Sequence, residues 1–309
     1  MKKQIAVILG PTATGKSHCG IALAQALDGE IISGDSMLVY RGMDIGTAKP
    51  TAEELALVPH HMVDILPPEA SFNVVDFKER AERLIEEITA RGKLPIIVGG
   101  TGLYIKALLE DYKFSSKGED SALRAELEAL LAEQGKDALY ARLEKSAPAE
   151  AGKIDINNTR RVIRAIEAAE SGEAISHLRG SGLAYDAAVF GLRMERSVLY
   201  ERINRRVDIM LEQGLVEETR RLLAEGVPET AQSMQAIGYR QTVLYLKGEW
   251  DKATAVDKIK QATRNFAKRQ FTWYKKMPYV KWFNLDAEPN YENVTAEMIK
   301  TVVEKFKIG

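Results

Sequence analysis

Eight residues near the start of the chain, Gly10-Pro11-Thr12-Ala13-Thr14-Gly15-Lys16-Ser17, follow the pattern G-x-x-x-x-G-K-[ST]. Its glycines let the backbone wrap so that successive N–H groups face an anion at a helix N-terminus. Lys16 brings positive charge to the phosphates, and the Ser17 hydroxyl is placed to hold Mg²⁺. In P-loop proteins that transfer phosphoryl groups, a later strand normally ends in an Asp that supports the metal. Here Leu94-Pro95-Ile96-Ile97-Val98 runs into Gly99-Gly100-Thr101 with no carboxylate. The acidic candidate is Asp35. It can act as a base toward a substrate hydroxyl, as in P-loop small-molecule kinases, serve a different group transfer, or simply cap a turn. His60, His61 and Asp64 do not complete a metal site, because adjacent side chains diverge and no further His or Cys cluster joins them.

These groups need a scaffold that delivers them to one edge. Ile5-Ala6-Val7-Ile8-Leu9 is a continuous apolar run that leads into the loop and then an amphipathic stretch from Lys16 to Leu27. Glu30-Ile31-Ile32-Ser33 leads into Gly34-Asp35-Ser36, and the Leu94 run leads into Gly99-Gly100-Thr101-Gly102 before a helical stretch from Leu103 to Leu109. Between them, Phe77, Ala81, Leu84, Ile85 and Ile88 share one face of a helix over Asp76 to Arg91. Strands alternating with helices, with glycine and polar residues at the strand exits, predict an α/β fold. Its core is a P-loop NTPase-like parallel sheet with ligands at the carboxyl ends of the strands. Beyond the polar linker Ser115 to Gly118, residues to about Gly180 are rich in Ala, Leu, Glu, Lys and Arg, which reads as a helical insertion over 115–186. Ala187 to Leu192 returns to the sheet, so the core is 1–114 with 187–309, and the C-terminal part reads as largely helical.

The chain has 309 residues, 45% hydrophobic and 28% charged, with 43 basic and 44 acidic side chains. That length allows about two domains and a sizeable core, which excludes disorder of the whole chain. A single cysteine, Cys19, excludes an internal disulfide, and the N-terminus lacks the pattern of a secretory signal. No apolar run approaches the roughly 18 residues that cross a bilayer. A cytoplasmic setting with no membrane partner is expected, and a monomer is the default.

At this point the chain resembles one family, the tRNA dimethylallyltransferases. The likeness is carried by Gly10 to Ser17, the segment Gly34 to Pro50, Gly99 to Tyr104, Leu199 to Arg206, Ala236 to Arg240 and Lys268 to Trp273. The resemblance implies transfer of a dimethylallyl group from its pyrophosphate to N6 of the adenosine just 3′ of the anticodon, adenosine-37. The loop and Mg²⁺ would hold the pyrophosphate, with Asp35 taking the N6 proton and Thr101 bridging amine and pyrophosphate. Arg206 would bind pyrophosphate. Thr101 reads equally as a helix N-cap, and Arg206 as part of a solvated charged face.

The resemblance also implies an anticodon stem-loop surface. Ser36, Met37 and Leu38 match positions at the target base, and Gly238, Tyr239, Arg240, Lys268, Arg269, Gln270 and Trp273 match tRNA-contacting motifs. Within the insertion, Arg160, Arg161 and Arg164 match such a segment, as does Arg124 at its start. The family often has glutamine where Leu38 stands and His-Pro where Asp155-Ile156 stands. Independently of any family, Lys258 to Lys281 holds eight Lys or Arg, no acid, and five aromatics. That composition suits RNA phosphates and splayed bases, or the basic solvent face of an ordinary helix.

Overall fold

The structure, a computed structural model, describes residues 2–112, 114, 121–170 and 182–308. The expected linker Ser115 to Gly118 and the far end of the insertion lie outside them. The chain divides into two compact units, one of Met1–Glu110 with Gly182–Gly309 and one of Asp111–Ser181.

The larger unit is built on β1 (Gln4–Leu9), α1 (Lys16–Ala26), β2 (Gly29–Ser33), α2 (Ala52–Leu57), β3 (His60–His61), α3 (Val74–Ala90), β4 (Leu94–Gly99) and α4 (Gly102–Leu109). The smaller unit holds α5 (Ser121–Ser146), α6 (Pro148–Ala151) and α7 (Thr159–Glu170). The larger unit resumes with β5 (Asp186–Met194), α8 (Arg196–Glu212), α9 (Leu215–Ala224), α10 (Tyr239–Leu246), α11 (Lys252–Tyr274), β6 (Lys281–Leu285) and α12 (Tyr291–Phe306).

Six parallel strands form one sheet in the order β3-β2-β4-β1-β5-β6. The apolar runs read as strands are buried along nearly their whole length, as expected where helices cover both faces. One face packs Ala6, Ile8, Ile96 and Phe190 against Leu23 of α1 and Met298 and Val302 of α12. Two strands were absent from the sequence reading. β3 is only two residues long, and β6 lies in a stretch read as helical, yet pairs in register from Phe190–Lys281 to Met194–Leu285. α3 starts where Asn73 and Asp76 form a reciprocal capping box.

In the smaller unit, α7 turns Val162, Ile163 and Ile166 toward Leu127, Leu139 and Leu143 of α5. Its opposite face leaves Arg160, Arg161 and Arg164 exposed. Asp155 accepts hydrogen bonds from the Asn157 backbone N–H and side-chain amide at 2.9 and 3.0 Å. Asn158 then caps α7 by accepting from the Arg161 N–H. Asp155 and Asn158 together thus give an ordered start to the helix.

What brings the site together is a close approach at the exits of β2 and β4. A Cβ on Gly99 would lie 2.4 Å from backbone atoms of Gly34, so only glycine allows the turns bearing Asp35 and Thr101 to touch. The Thr101 N–H donates to the Gly34 carbonyl at 3.2 Å. Gly99→Ala is expected to lower stability by about 1–3 kcal/mol, because backbone rather than a flexible side chain must move. Thermal or denaturant unfolding measures this, and an unchanged midpoint would disprove the constraint.

Candidate active site

The phosphate loop meets α1 with no side-chain cap and no acidic residue in the first turn, which leaves the helix N–H groups open to an anion. Gly15 supplies the left-handed turn at φ +85°, and Ala13 also adopts positive φ at +65°. The buried Thr14 hydroxyl donates to the Pro11 carbonyl at 2.8 Å. Behind the loop, Arg202 of α8 donates to the Ala13 carbonyl at 3.1 Å and to the Tyr291 hydroxyl at 3.1 Å, and that hydroxyl donates to the Thr14 carbonyl at 3.3 Å. Nothing in the local sequence signals this brace from α12.

Lys16 donates to the Pro11 carbonyl at 2.8 Å, and its pKa is pulled down to about 8. Burial is the main cause; the charge of Arg206 adds to it and that of Asp35 opposes it. Burial also lowers the Arg206 pKa, against the charges of Asp35 and Glu54. Arg206 makes no hydrogen bond or ion pair among the described residues, so it is not part of a salt-bridged surface. Two crowded cations facing a carboxylate across an amide-lined loop form a receptor for a multiply charged anion.

Asp35 does cap its turn: one carboxylate oxygen accepts the Met37 N–H at 2.8 Å. The other is not used in this way and lies toward Gly100, where a Cβ would stand 3.8 Å from it. Thr101 precedes α4 but makes no side-chain cap. Its hydroxyl accepts the Ser36 N–H at 3.1 Å and donates to the Ser36 hydroxyl at 3.4 Å. Asp35, Ser36, Met37 and Leu38 thus lie half-buried on one turn, with the half-buried Thr101 bonded to it from the next.

The long motif after Asp35 is held by a buried acid that sequence reasoning missed. Glu218 of α9 accepts the backbone N–H groups of Asp44, Ile45 and Gly46 at 2.9–3.1 Å and the Tyr239 hydroxyl at 2.6 Å. Lys49 ties Asp44, Asp64 and the Tyr40 carbonyl together. His61 bonds Glu30 and His60 the Val58 carbonyl, at 2.7 and 2.8 Å, so both histidines are structural.

The expected RNA contacts separate into two groups. Lys268, Arg269, Trp273 and Arg240 are exposed, as are Arg160, Arg161 and Arg164 of the smaller unit. The others are occupied by contacts within the protein. Tyr239 is fully buried on Glu218, with Gly238 buried beside it. Gln270 is buried between the phosphate loop and Gly100. Arg124 forms a two-pronged ion pair with Glu167 at 3.0 and 3.1 Å. In the basic stretch, Lys260 pairs with Asp208 and Arg264 with Asn204, both at 2.6 Å, so they face α8.

Two outcomes follow from these contacts. Above pH about 8 Lys16 loses its proton, so the advantage of wild type over Lys16→Met in binding inorganic pyrophosphate should shrink. The change is up to about tenfold per pH unit for one linked proton. Isothermal titration in metal-free buffer at pH 7 and 9 checks this, and a constant ratio would refute it. Tyr239→Phe should cost about 1.5–3 kcal/mol in unfolding free energy, as loss of a buried hydrogen bond to a carboxylate does; a change below 0.5 kcal/mol, roughly a surface substitution's effect, would argue against the lock.

A family model described as IPP transferase matches residues 38–277. The chain is 47% identical to a tRNA dimethylallyltransferase of Exiguobacterium sp. over 99% of both chains. It is 46% identical to one of Geobacillus kaustophilus, over 100% of this chain and 99% of that one. The solved structure of a tRNA isopentenylpyrophosphate transferase from Bacillus halodurans matches with a TM-score of 0.74 at 44% identity, over 99% of each chain. A structure of a eukaryotic dimethylallyltransferase acting on tRNA matches at 0.78 and 28% identity, over 97% of this chain and 78% of that one. These matches cover nearly the whole chain, and the chain therefore belongs to the IPP transferase family, that of the tRNA dimethylallyltransferases.

Proposed function

We infer that this protein transfers the dimethylallyl group of dimethylallyl pyrophosphate to N6 of adenosine-37 in the tRNA anticodon loop, acting in the cytoplasm as a monomer. The observation that carries this reading is the anion receptor of Lys16 and Arg206 with Asp35 opposite. An N6–C1 bond forms as the C1–oxygen bond to pyrophosphate breaks. Negative charge grows on the leaving group, where Lys16, Arg206 and the loop amides stabilise it. N6 becomes cationic as it attacks, and the free oxygen of Asp35 takes its proton. Thr101, fixed on Ser36, orients the amine.

The adenine reaches this turn only if it leaves the base stack. The exposed Lys268, Arg269, Arg240 and Trp273 suit the loop's phosphates and bases, and the arginines of α7 suit the phosphates of the stem. Ser17 is exposed on the first turn of α1, and its hydroxyl makes no hydrogen bond among the described residues. No group of three His, Cys, Asp or Glu that could hold a metal occurs among them either. This donor set fits Mg²⁺ arriving with pyrophosphate, with Ser17 as a protein ligand. Bound there, the ion would supply further charge neutralisation of the leaving group.

Unmodified tRNA incubated with Mg²⁺ and labelled dimethylallyl pyrophosphate should acquire label at adenosine-37. Asp35→Ala should slow that transfer by about 10²–10⁴-fold. RNA that stays unlabelled while ATP is consumed in the absence of RNA would replace this reading with the small-molecule kinase, and a near-normal rate in Asp35→Ala would remove Asp35 from the proton-accepting role.

A further inference from the structure

Gln270 lies in the motif that resembles the family's tRNA-contacting segment, yet its side chain points inward. Its carbonyl oxygen accepts the Thr12 backbone N–H at 2.9 Å, and its amide nitrogen donates to the Gly100 carbonyl at 2.8 Å. The residue is 3% exposed, while Lys268, Arg269 and Trp273 around it on α11 face solvent. A Cβ on Gly100 would stand 2.4 Å from the Gln270 nitrogen and 3.8 Å from Asp35, so the amide is packed directly behind the acid turn. Tyr274, one turn further along α11, donates to the same Gly100 carbonyl.

We propose that Gln270 is a positioning residue that sets the register between the phosphate loop and the Thr101–Asp35 turn, not a residue that touches RNA. The proposal rests on the prenyl-transfer reading above. Donor and acceptor sides of the reaction belong to different strand exits, and one primary amide joins them, accepting from the first and donating to the second. The task needs both functions at one side-chain length. A carboxylate keeps only the acceptor and sets a second oxygen against the Gly100 carbonyl. A protonated carboxyl restores both, because its O–H replaces the amide N–H. From the joined contacts, loss of the strut should loosen the loop even without RNA.

The test compares wild type with Gln270→Met, which removes both hydrogen bonds, and Gln270→Glu, which keeps the shape. Affinity for inorganic pyrophosphate without RNA should fall about tenfold in Gln270→Met at pH 7.5, as loss of one or two modest hydrogen bonds implies. Affinity for an anticodon stem-loop RNA should change less than about twofold, within the usual effect of a residue off the interface. For Gln270→Glu, the transfer rate relative to wild type should rise as pH is lowered from 8 to 6, in the sense set by protonation of the introduced carboxyl. Weakened RNA binding with unchanged pyrophosphate binding, or a relative rate that ignores pH, would overturn the proposal. If Gln270→Met does not fold, the isosteric Gln270→Glu carries the test. Absence of transfer by wild type would instead count against the functional reading, while the RNA-free pyrophosphate measurement would still decide whether the strut shapes the loop.

Discussion

Lys16 and Arg206 bring two like charges into one corner, and neither bonds a carboxylate among the described residues. Taking cations out of water is costly, and placing them together adds repulsion. The remaining architecture can be read as what makes that corner tolerable. Asp35 supplies opposing charge from across the loop, the start of α1 is left uncapped, and Arg202 is directed at the Ala13 carbonyl and the Tyr291 hydroxyl. A site built in this way is relaxed by an anion and strained without one, which is how binding energy becomes available for breaking the bond to a leaving group.

Much of this was legible from local pattern. The loop and the strands β1, β2 and β4 announce themselves because each is a largely apolar run that leads into glycine, and β5 does so through its apolar stretch Ala187 to Leu192. The edge strands do not. Two residues carry no period, and Lys281-Trp282-Phe283-Asn284-Leu285 follows a basic helical stretch that invites extension of the helix. Asp35 was readable as either a turn cap or a base; the structure shows the cap, made by one carboxylate oxygen, and that bond leaves the other oxygen outside the turn.

Roles that depend on distant partners were not readable. Arg124 looks like a phosphate contact until Glu167, 43 positions away, takes its guanidinium. Tyr239 and Gln270 stand in motifs beside exposed cations, and only their burial separates them from Arg240 and Arg269. A motif can record the needs of a fold and of a ligand at alternate positions of one helix. On α11, the outward positions offer charge and an indole, while the inward ones hold two strand exits in place.

The Arg202–Tyr291 brace has a temporal consequence. The contact between Tyr291 and Thr14 spans 277 positions of sequence. The loop leaves the ribosome well before its brace is made. A nascent chain that has not yet released Tyr291 carries the loop's sequence without the hydroxyl that holds it. Such non-local closure is slow to form, and a braced loop therefore arrives with α12 rather than with the motif that names it.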